Sequence, residues 1–233
     1  MSERTQQAMA DFFDDWSEGY VERFTSGVLR EHLTRRRMEH LRALARPDQL
    51  YVEVGCGTGA SMSHMPCRTF GIDIAPGMLH RAHANGLRVA LASGTEIPLR
   101  DGAADIVSAQ LVLHHVNFYL GEDGVRWVIR EMIRVAKPGG VVSILEANPY
   151  NPYWYYFMRR HGEDNATLIR PARLRQLLGV ASGSRPDIIR LGFLPEWTPA
   201  PLLRPAALME PMLERSPLGH LAGNYIAVCR VPT

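Results

Sequence analysis

The residues Leu50-Tyr51-Val52-Glu53-Val54-Gly55-Cys56-Gly57-Thr58-Gly59-Ala60 constrain this chain more than any others. Leu50, Tyr51, Val52 and Val54 form a short β-favouring apolar run, the signature of a buried strand. Gly55, Gly57 and Gly59 follow at once. They let the backbone turn sharply and bring a ligand close to the main chain. Glu53 is the exception, an acid inside the strand. A buried carboxylate is costly unless something pairs with it, so Glu53 is expected to face a polar ligand.

The rest of the chain alternates in a way that suits this start. Residues 5 to 45 read as helical, with apolar residues at three- and four-residue steps and a break at Gly19 or Gly27. Strands are expected at Leu50 to Val54, Thr69 to Ile74, Val89 to Ala92, Ala104 to Ala109 and Val141 to Leu145. Helices are expected at Ser61 to Met65, Pro76 to Ala84 and Gly124 to Val135, with a tight turn at Lys137 to Gly140. Such alternation predicts a doubly wound α/β fold, a mostly parallel sheet with helices on both faces. Beyond Glu146 come an aromatic, proline-rich run from Asn148 to Phe157, a helix at Arg170 to Leu178 and strands at Asp187 to Leu194 and Asn224 to Val231. Before the last strand, Pro199 to Pro217 carries five prolines among leucines and methionines, which reads as a helix pair or lid. We take residues 1–233 as one domain: a helical lid over 1–46, a ligand-binding core over 47–147 and a substrate side over 148–233.

Bulk properties exclude several classes. A net charge of +2 gives no nucleic-acid signal. The run Arg35-Arg36-Arg37 reads as a solvated helix face. Cys56, Cys67 and Cys229 are too few and too scattered for a disulfide framework or a zinc site, and no metal is expected. No stretch approaches the roughly 20 apolar residues of a membrane span, and the start of the chain has no apolar run of a signal peptide. A cytoplasmic protein acting on a small molecule is expected, with no nucleic-acid partner and no stable membrane insertion; a homodimer is compatible.

Two ligands compete for the glycine turn. Gly55-x-Gly57-x-x-Ala60 fits a dinucleotide fingerprint, and Gly55-x-Gly57-x-Gly59 suits a cofactor without pyrophosphate. Asp73, 18 residues after Gly55, is placed to hold a ribose in either case. Glu53 tips the balance, because a charged amino group would use it and a nicotinamide dinucleotide offers none there. Three more stretches add to it: Glu96 to Asp105, Leu113-His114-His115-Val116, and Arg134 to Gly140.

Together these stretches, with Gly71-Ile72-Asp73-Ile74-Ala75-Pro76-Gly77-Met78-Leu79, resemble the class I S-adenosylmethionine-dependent methyltransferases of the small-molecule, type 11-like kind, over roughly residues 10 to 150. The resemblance implies a Rossmann-like seven-stranded sheet with an antiparallel last strand, a helical lid, a helical insert between the last two strands, and S-adenosylmethionine as cofactor, leaving as S-adenosylhomocysteine. Carried over, it implies that Glu53 holds the methionine amino group. Gly55, Cys56 and Gly57 line methionine and ribose, Asp73 accepts the ribose hydroxyls, and Ile74 and Met78 flank the adenine. Ser93, Gly94, Thr95 and Gln110 complete the cofactor set. Phe12 to Tyr20 resembles the lid of the family, with Tyr20 closing over the cofactor. Ser93 departs from the family pattern: it stands where an aspartate usually binds the adenine amine, and a hydroxyl lacks the charge-assisted hydrogen bond.

Methyl transfer needs an aligned nucleophile and often a base. His114 and His115 lie just past the fourth strand, at the carboxyl edge where such sheets bind ligands. A histidine titrates near neutrality, and paired histidines here resemble those of sugar and natural-product methyltransferases. Adjacent residues point differently, so one of the two is expected to face the substrate; His114 is preferred. Glu146, ending the fifth strand, either orients that imidazole or caps a helix. Asn148, Tyr150, Tyr153 and Trp154 are candidates for the substrate wall, with an Asx turn the alternative for Asn148. The expected acceptor is a sugar, nucleoside or other biosynthetic intermediate. Two alternatives stay open: a lipid-linked or prenylated acceptor, and an S-adenosylmethionine-binding regulator without catalysis.

Overall fold

The structure is a computed structural model. It describes residues 3–24, 28–152, 167–194 and 198–233, leaving aside the side chains of residues 3, 4, 16–24, 28–30 and 200. Two helices, α1 (Glu3–Phe24) and α2 (Val28–Leu44), precede the sheet. Then come β1 (Leu50–Val54), a 3-10 turn at Met62–His64, β2 (Arg68–Asp73), α3 (Pro76–Ala84), β3 (Val89–Leu91), β4 (Ala104–Gln110), α4 (Leu113–Val135) and β5 (Ala136–Ala147). Helix α5 (Pro171–Ser182), β6 (Asp187–Leu191), α6 (Ala200–Arg215), a 3-10 turn at Pro217–Leu221 and β7 (Asn224–Arg230) follow.

The seven strands form one sheet in the order β3-β2-β1-β4-β5-β7-β6. All pairings are parallel except those of β7, which runs antiparallel to both β5 and β6. This is the expected Rossmann-like methyltransferase sheet. The chain begins in the middle, winds out through β2 and β3, and returns to β4. The switch point between β1 and β4 opens a crevice at their carboxyl ends.

Period-two alternation explains how the strands are covered. Val52 and Val54 of β1 join Val107, Val142 and Ile144 in a core packed by Leu113, Val125, Ile129 and Met132 of α4 and Leu174 and Leu178 of α5. Tyr51 joins Met38 and Leu41 of α2, Leu79 of α3 and Ile106 on the other face. Glu53 shares the Tyr51 face. It sits opposite Ser108 of β4, which in turn sits opposite Ser143 of β5. A polar row therefore crosses three central strands beneath α2. His40 of α2 reaches this row, its Nε2 2.9 Å from the Ser143 hydroxyl. Burial pushes the His40 imidazole down to about 4, so the ring is neutral at pH 7.

Two stretches of the recognised pattern turn out to be fasteners. Arg134, at the end of α4, donates to the carbonyls of Ile97 and Leu99 at 2.9 and 2.8 Å and pairs with Glu131 and Asp101. Lys137, the sole lysine, pairs with Asp105 at 2.8 Å, and Asp105 also accepts from the Leu50 amide.

Three element expectations change. Gly121 (φ 65°, ψ −172°) kinks α4 into two helical segments, a first one from Leu113 that was not expected and a second one that contains the expected Gly124 to Val135 helix. β5 begins at Ala136 rather than Val141: Ala136 pairs with Ala104 across a register shift, so the Lys137 to Gly140 turn is a bulged strand start. The proline-rich insert is one helix, α6, with Pro205 and Pro211 inside it. Of the two break positions proposed for the leading helix, Gly19 lies within α1 and Gly27 lies outside the described residues.

Candidate active site

A cavity of about 250 Å³ opens at the carboxyl ends of β1 and β4. Its floor is the glycine turn. Gly55 (φ +69°) and Gly57 (φ +52°) occupy the left-handed region. A Cβ on Gly55 would sit 2.5 Å from the Val112 side chain, whereas one on Gly57 would meet nothing within 4 Å. The backbone at Gly57 is thus open to a ligand, while Gly55 lines the cavity with its Cβ side closed by Val112.

Asp73 ends β2 at the rim. Its carboxylate accepts from the amides of Gly57 (2.8 Å) and Ala75 (2.9 Å). Burial raises its pKa, and the amides of Ala75, Gly57 and Ile74 oppose that rise. Ile74, Met78, Ser93, Gly94 and Thr95 continue the same wall. The Ser93 hydroxyl lies 2.8 Å from that of Thr95, and Gln6 of α1 donates to both, at 3.3 and 3.2 Å. A second tie comes from Asp14, which accepts from the Gly77 amide in the first turn of α3, where a carboxylate suits the helix dipole. With Met9 and Phe13 lining the cavity, α1 roofs it.

Glu53 lies below the turn, 2% exposed. Its Oε2 has no hydrogen-bond partner among the described residues. Burial drives its pKa up to about 8; the Tyr51 and Ser61 hydroxyls oppose this and the Asp73 carboxylate adds to it. A buried acceptor without a donor is rare in a folded protein. Glu53 lies behind the cavity lining, next to Ser61, which does line it, and the orphaned oxygen fits a positively charged amino group that reaches in past that residue. Cys56 is buried beside it, its thiol pushed up by burial and by the Asp73 and Glu53 carboxylates. It packs against Gly71, where a Cβ would come within 2.6 Å of its sulfur.

The other wall comes from β4, α4 and α2. Gln110 ends β4 and lines the cavity with Leu111, Val112, Val116 and His115, while Thr34 and Arg37 enter from α2. Leu111 holds φ at +56°, a strained value for a side-chain-bearing residue. That sharp reversal starts α4 at the cavity edge. His115 faces the cavity, its ring edge-on to Phe13 at 4.8 Å between centroids. His114 turns away and is buried. Its Nδ1 lies 2.5 Å from Oε2 of Glu146, whose Oε1 accepts from the Leu113 amide at 2.7 Å. Glu146, wholly buried, therefore does both things open to it: it caps α4 from the neighbouring strand and orients an imidazole. The two imidazoles are 4.1 Å apart between centroids.

Among the substrate-side candidates, Asn148 is wholly buried and bonded throughout. Its amide donates to the carbonyls of His220 and Ala222, and its oxygen accepts from the Tyr150 amide in an Asx turn. Tyr150 is half exposed. Tyr153 and Trp154 lie outside the described residues, and Tyr20 outside the described side chains. The cavity also holds residues that the sequence did not single out: Met9, Thr34 and Arg37. Arg37 was read with its neighbours as a solvated face. It is half-buried and donates to Asn224 at 3.2 Å. The signal was the helical step, since Thr34 and Arg37 lie one position after the buried Leu33 and one before the buried Met38. Among the described residues no group of three or more His, Cys, Asp or Glu side chains could hold a metal ion.

Residues 52–144 match the family model described as a methyltransferase domain. The chain carries a methyltransferase domain with the class I, S-adenosylmethionine-dependent fold. Its cofactor is S-adenosylmethionine. The chain is 32% identical over 94 residues to the tRNA (carboxymethyluridine(34)-5-O)-methyltransferase of Arabidopsis thaliana, covering 40% of this chain and 22% of that protein. It is 29% identical over 170 residues to the demethylmenaquinone methyltransferase of Corynebacterium urealyticum, covering 67% of this chain and 70% of that protein. The chain thus spans less than a quarter of the plant relative. In fold it is similar to magnesium protoporphyrin IX methyltransferase from Synechocystis, solved with bound SAH: TM-score 0.65 and 14% identity, over 98% of this chain and all of that one. The orphaned Glu53 oxygen and the open backbone at Gly57 are the features of this chain that fit the cofactor.

Proposed function

We propose that the chain methylates an oxygen, nitrogen or activated carbon of a small molecule, with His115 as the base. Glu53 would hold the cofactor's amino group, Gly55 and Gly57 its methionine and ribose, Asp73 the ribose hydroxyls, and Ile74, Met78, Ser93 and Thr95 the adenine. When bound, the cofactor supplies an electrophilic methyl group on a sulfonium. The chain's own residues then align the acceptor and take its proton.

The observation that carries this reading is the position of His115, in the same cavity as Asp73 and the glycine turn. It favours the second histidine over the first. His114 is held by Glu146 behind the wall and acts as a positioning residue: it sets the start of α4 and packs on the His115 ring. The acceptor side, with Thr34, Arg37 and Gln110 among Met9, Phe13 and Leu111, suits a molecule with an apolar body and a few polar groups.

The apolar share of that wall, with the similarity to a demethylmenaquinone methyltransferase, supports a narrower version in which the acceptor carries a prenyl or other apolar tail. Incubation with methyl-labelled cofactor and a panel of sugars, nucleosides, phenols and prenylated quinols tests both. Label is expected in one acceptor class. Tight S-adenosylhomocysteine binding with no transfer to any class would instead favour a non-catalytic regulator. His115→Ala is expected to lower kcat by about a hundred-fold with S-adenosylhomocysteine affinity unchanged. Wild-type turnover in that variant would remove His115 from the mechanism.

A further inference from the structure

Helix α6 separates its charges by face. Its two acids point inward. Glu210 is 1% exposed; it lies 3.1 Å from Nε2 of His32 on α2 and accepts from the amides of Phe193 and Leu194. Glu214 is half-buried and bound by Arg36 of α2 at 2.8 Å and by the Gly192 amide at 3.1 Å. Its two cations, Arg204 and Arg215, point outward and are exposed, with no ion pair among the described residues.

The rest of the outer face is apolar. Leu208 is 80% exposed, Met212 74%, Met209 59% and Leu202 55%, and Leu218 of the following 3-10 turn is half exposed. At about 100° per residue, Leu208, Pro201, Met212, Pro205, Met209 and Leu202 occupy an arc of roughly 120°, and Arg204 and Arg215 fall on its Leu208 flank. Summed along the sequence, the arginines and glutamates of this helix cancel. Folded, the acids are consumed by α2 and the surface keeps only the positive charge beside the apolar arc.

We infer that the outer face of α6 docks on an anionic lipid bilayer. An apolar arc buried to the level of the acyl chains, with cations at its margin for lipid phosphates, is how a helix lies in a membrane interface. No helix among the described residues is long and apolar enough to cross a membrane, so the contact is peripheral. The charge segregation chooses lipid as the occupant: an acidic partner protein would answer the arginines but leave the wide unbroken arc of leucine, methionine and proline without a match, while a second copy packed antiparallel on the same face would set arginine against arginine. The helix is tied through Arg36 and His32 to α2, whose Thr34 and Arg37 line the cavity, so docking would place the cavity wall close to the bilayer.

Co-sedimentation of the full chain with vesicles tests this, using phosphatidylcholine alone and phosphatidylcholine mixed with phosphatidylglycerol, at low and high salt. Binding is expected on the anionic vesicles only, weakening as salt rises. Replacing Arg204 and Arg215 by glutamine should lower the partition coefficient about five-fold per arginine. Leu208→Asp with Met212→Asp should abolish binding. These side chains are exposed, and unchanged S-adenosylhomocysteine affinity would show that each variant is folded. Absence of wild-type binding, equal binding to neutral vesicles, or variants that bind like wild type would each overturn the proposal. So would a wild-type dimer that the aspartate variant converts to monomer without changing vesicle binding, because the face would then belong to a second copy.

Discussion

Glu53 is the residue on which the cofactor assignment turns, and its environment has a measurable cost. Its carboxyl is raised to about 8 by burial. Between its ordinary range and pH 8 the unfolded chain is ionised while the folded chain keeps the proton, so the folded state binds more protons. Stability therefore falls as pH rises through that window and levels off above it. Glu53→Gln removes the titration. Without cofactor, the variant is expected to be more stable than wild type at pH 8 and equal to it at pH 4, as urea unfolding at both values would show. The same change removes the partner of a charged amino group, and S-adenosylhomocysteine should bind about ten- to hundred-fold more weakly. A variant that is no more stable at pH 8 would mean that the carboxylate is solvated. The acid was legible in the sequence because it interrupts an apolar strand. That its Oε2 has no donor was not, since α2, Tyr51 and Ser108 close over it only in the folded chain.

At the scale of elements, α2 is the piece that the sequence left least defined. Its arginines looked like a solvated stripe. Arg36 instead bridges Glu39 of its own helix and Glu214 of α6, and its Nε lies 3.8 Å from Glu210. Removing the guanidinium leaves Glu210 and Glu214 half-buried to buried with fewer partners. Arg36→Ala is expected to destabilise the protein by about 1–3 kcal/mol, between the values for exposed and for buried pairs because the guanidinium is partly exposed, while Arg35→Ala changes little; urea midpoints would separate them. Helix α1 makes a different prediction. Gln6 and Asp14 tie it to Ser93, Thr95 and the start of α3, and Met9 and Phe13 roof the cavity. Hydrogen exchange across residues 6 to 14 should slow when S-adenosylhomocysteine binds, and unchanged exchange there would separate α1 from the cofactor site. The lid was read from the resemblance of Phe12 to Tyr20 to the family's lid, whereas Gln6 carried no signal, because a glutamine on an exposed helix is ordinary until a loop 87 residues away is folded against it.

The whole molecule shows where the two kinds of information divide. Local pattern sufficed for most of the sheet: β-favouring runs, glycine turns and helical periodicity place β1, β2, β3 and β4 within one residue at each end, though not the start of β5, and Gly55, Glu53 and Asp73 mark the cofactor edge. Those features are set by neighbours in the chain, so the sequence holds them directly. Contacts between distant segments decided the rest. Both histidines could be placed at the end of β4, but only the packing of α4 on β5 buries His114 against Glu146 and leaves His115 to the cavity. Asn148 looked like a substrate ligand until its amide met the carbonyls before β7. The charges of α6 balanced as a string of letters, and only the docking of α2 turned the acids in and left the arginines out. By itself the sequence determined the fold class, the cofactor and the edge of the sheet where it binds. Which polar groups are used up inside the protein, and which remain for acceptor or membrane, was decided by tertiary structure, because a side chain's chemistry depends on partners that the linear order does not bring together.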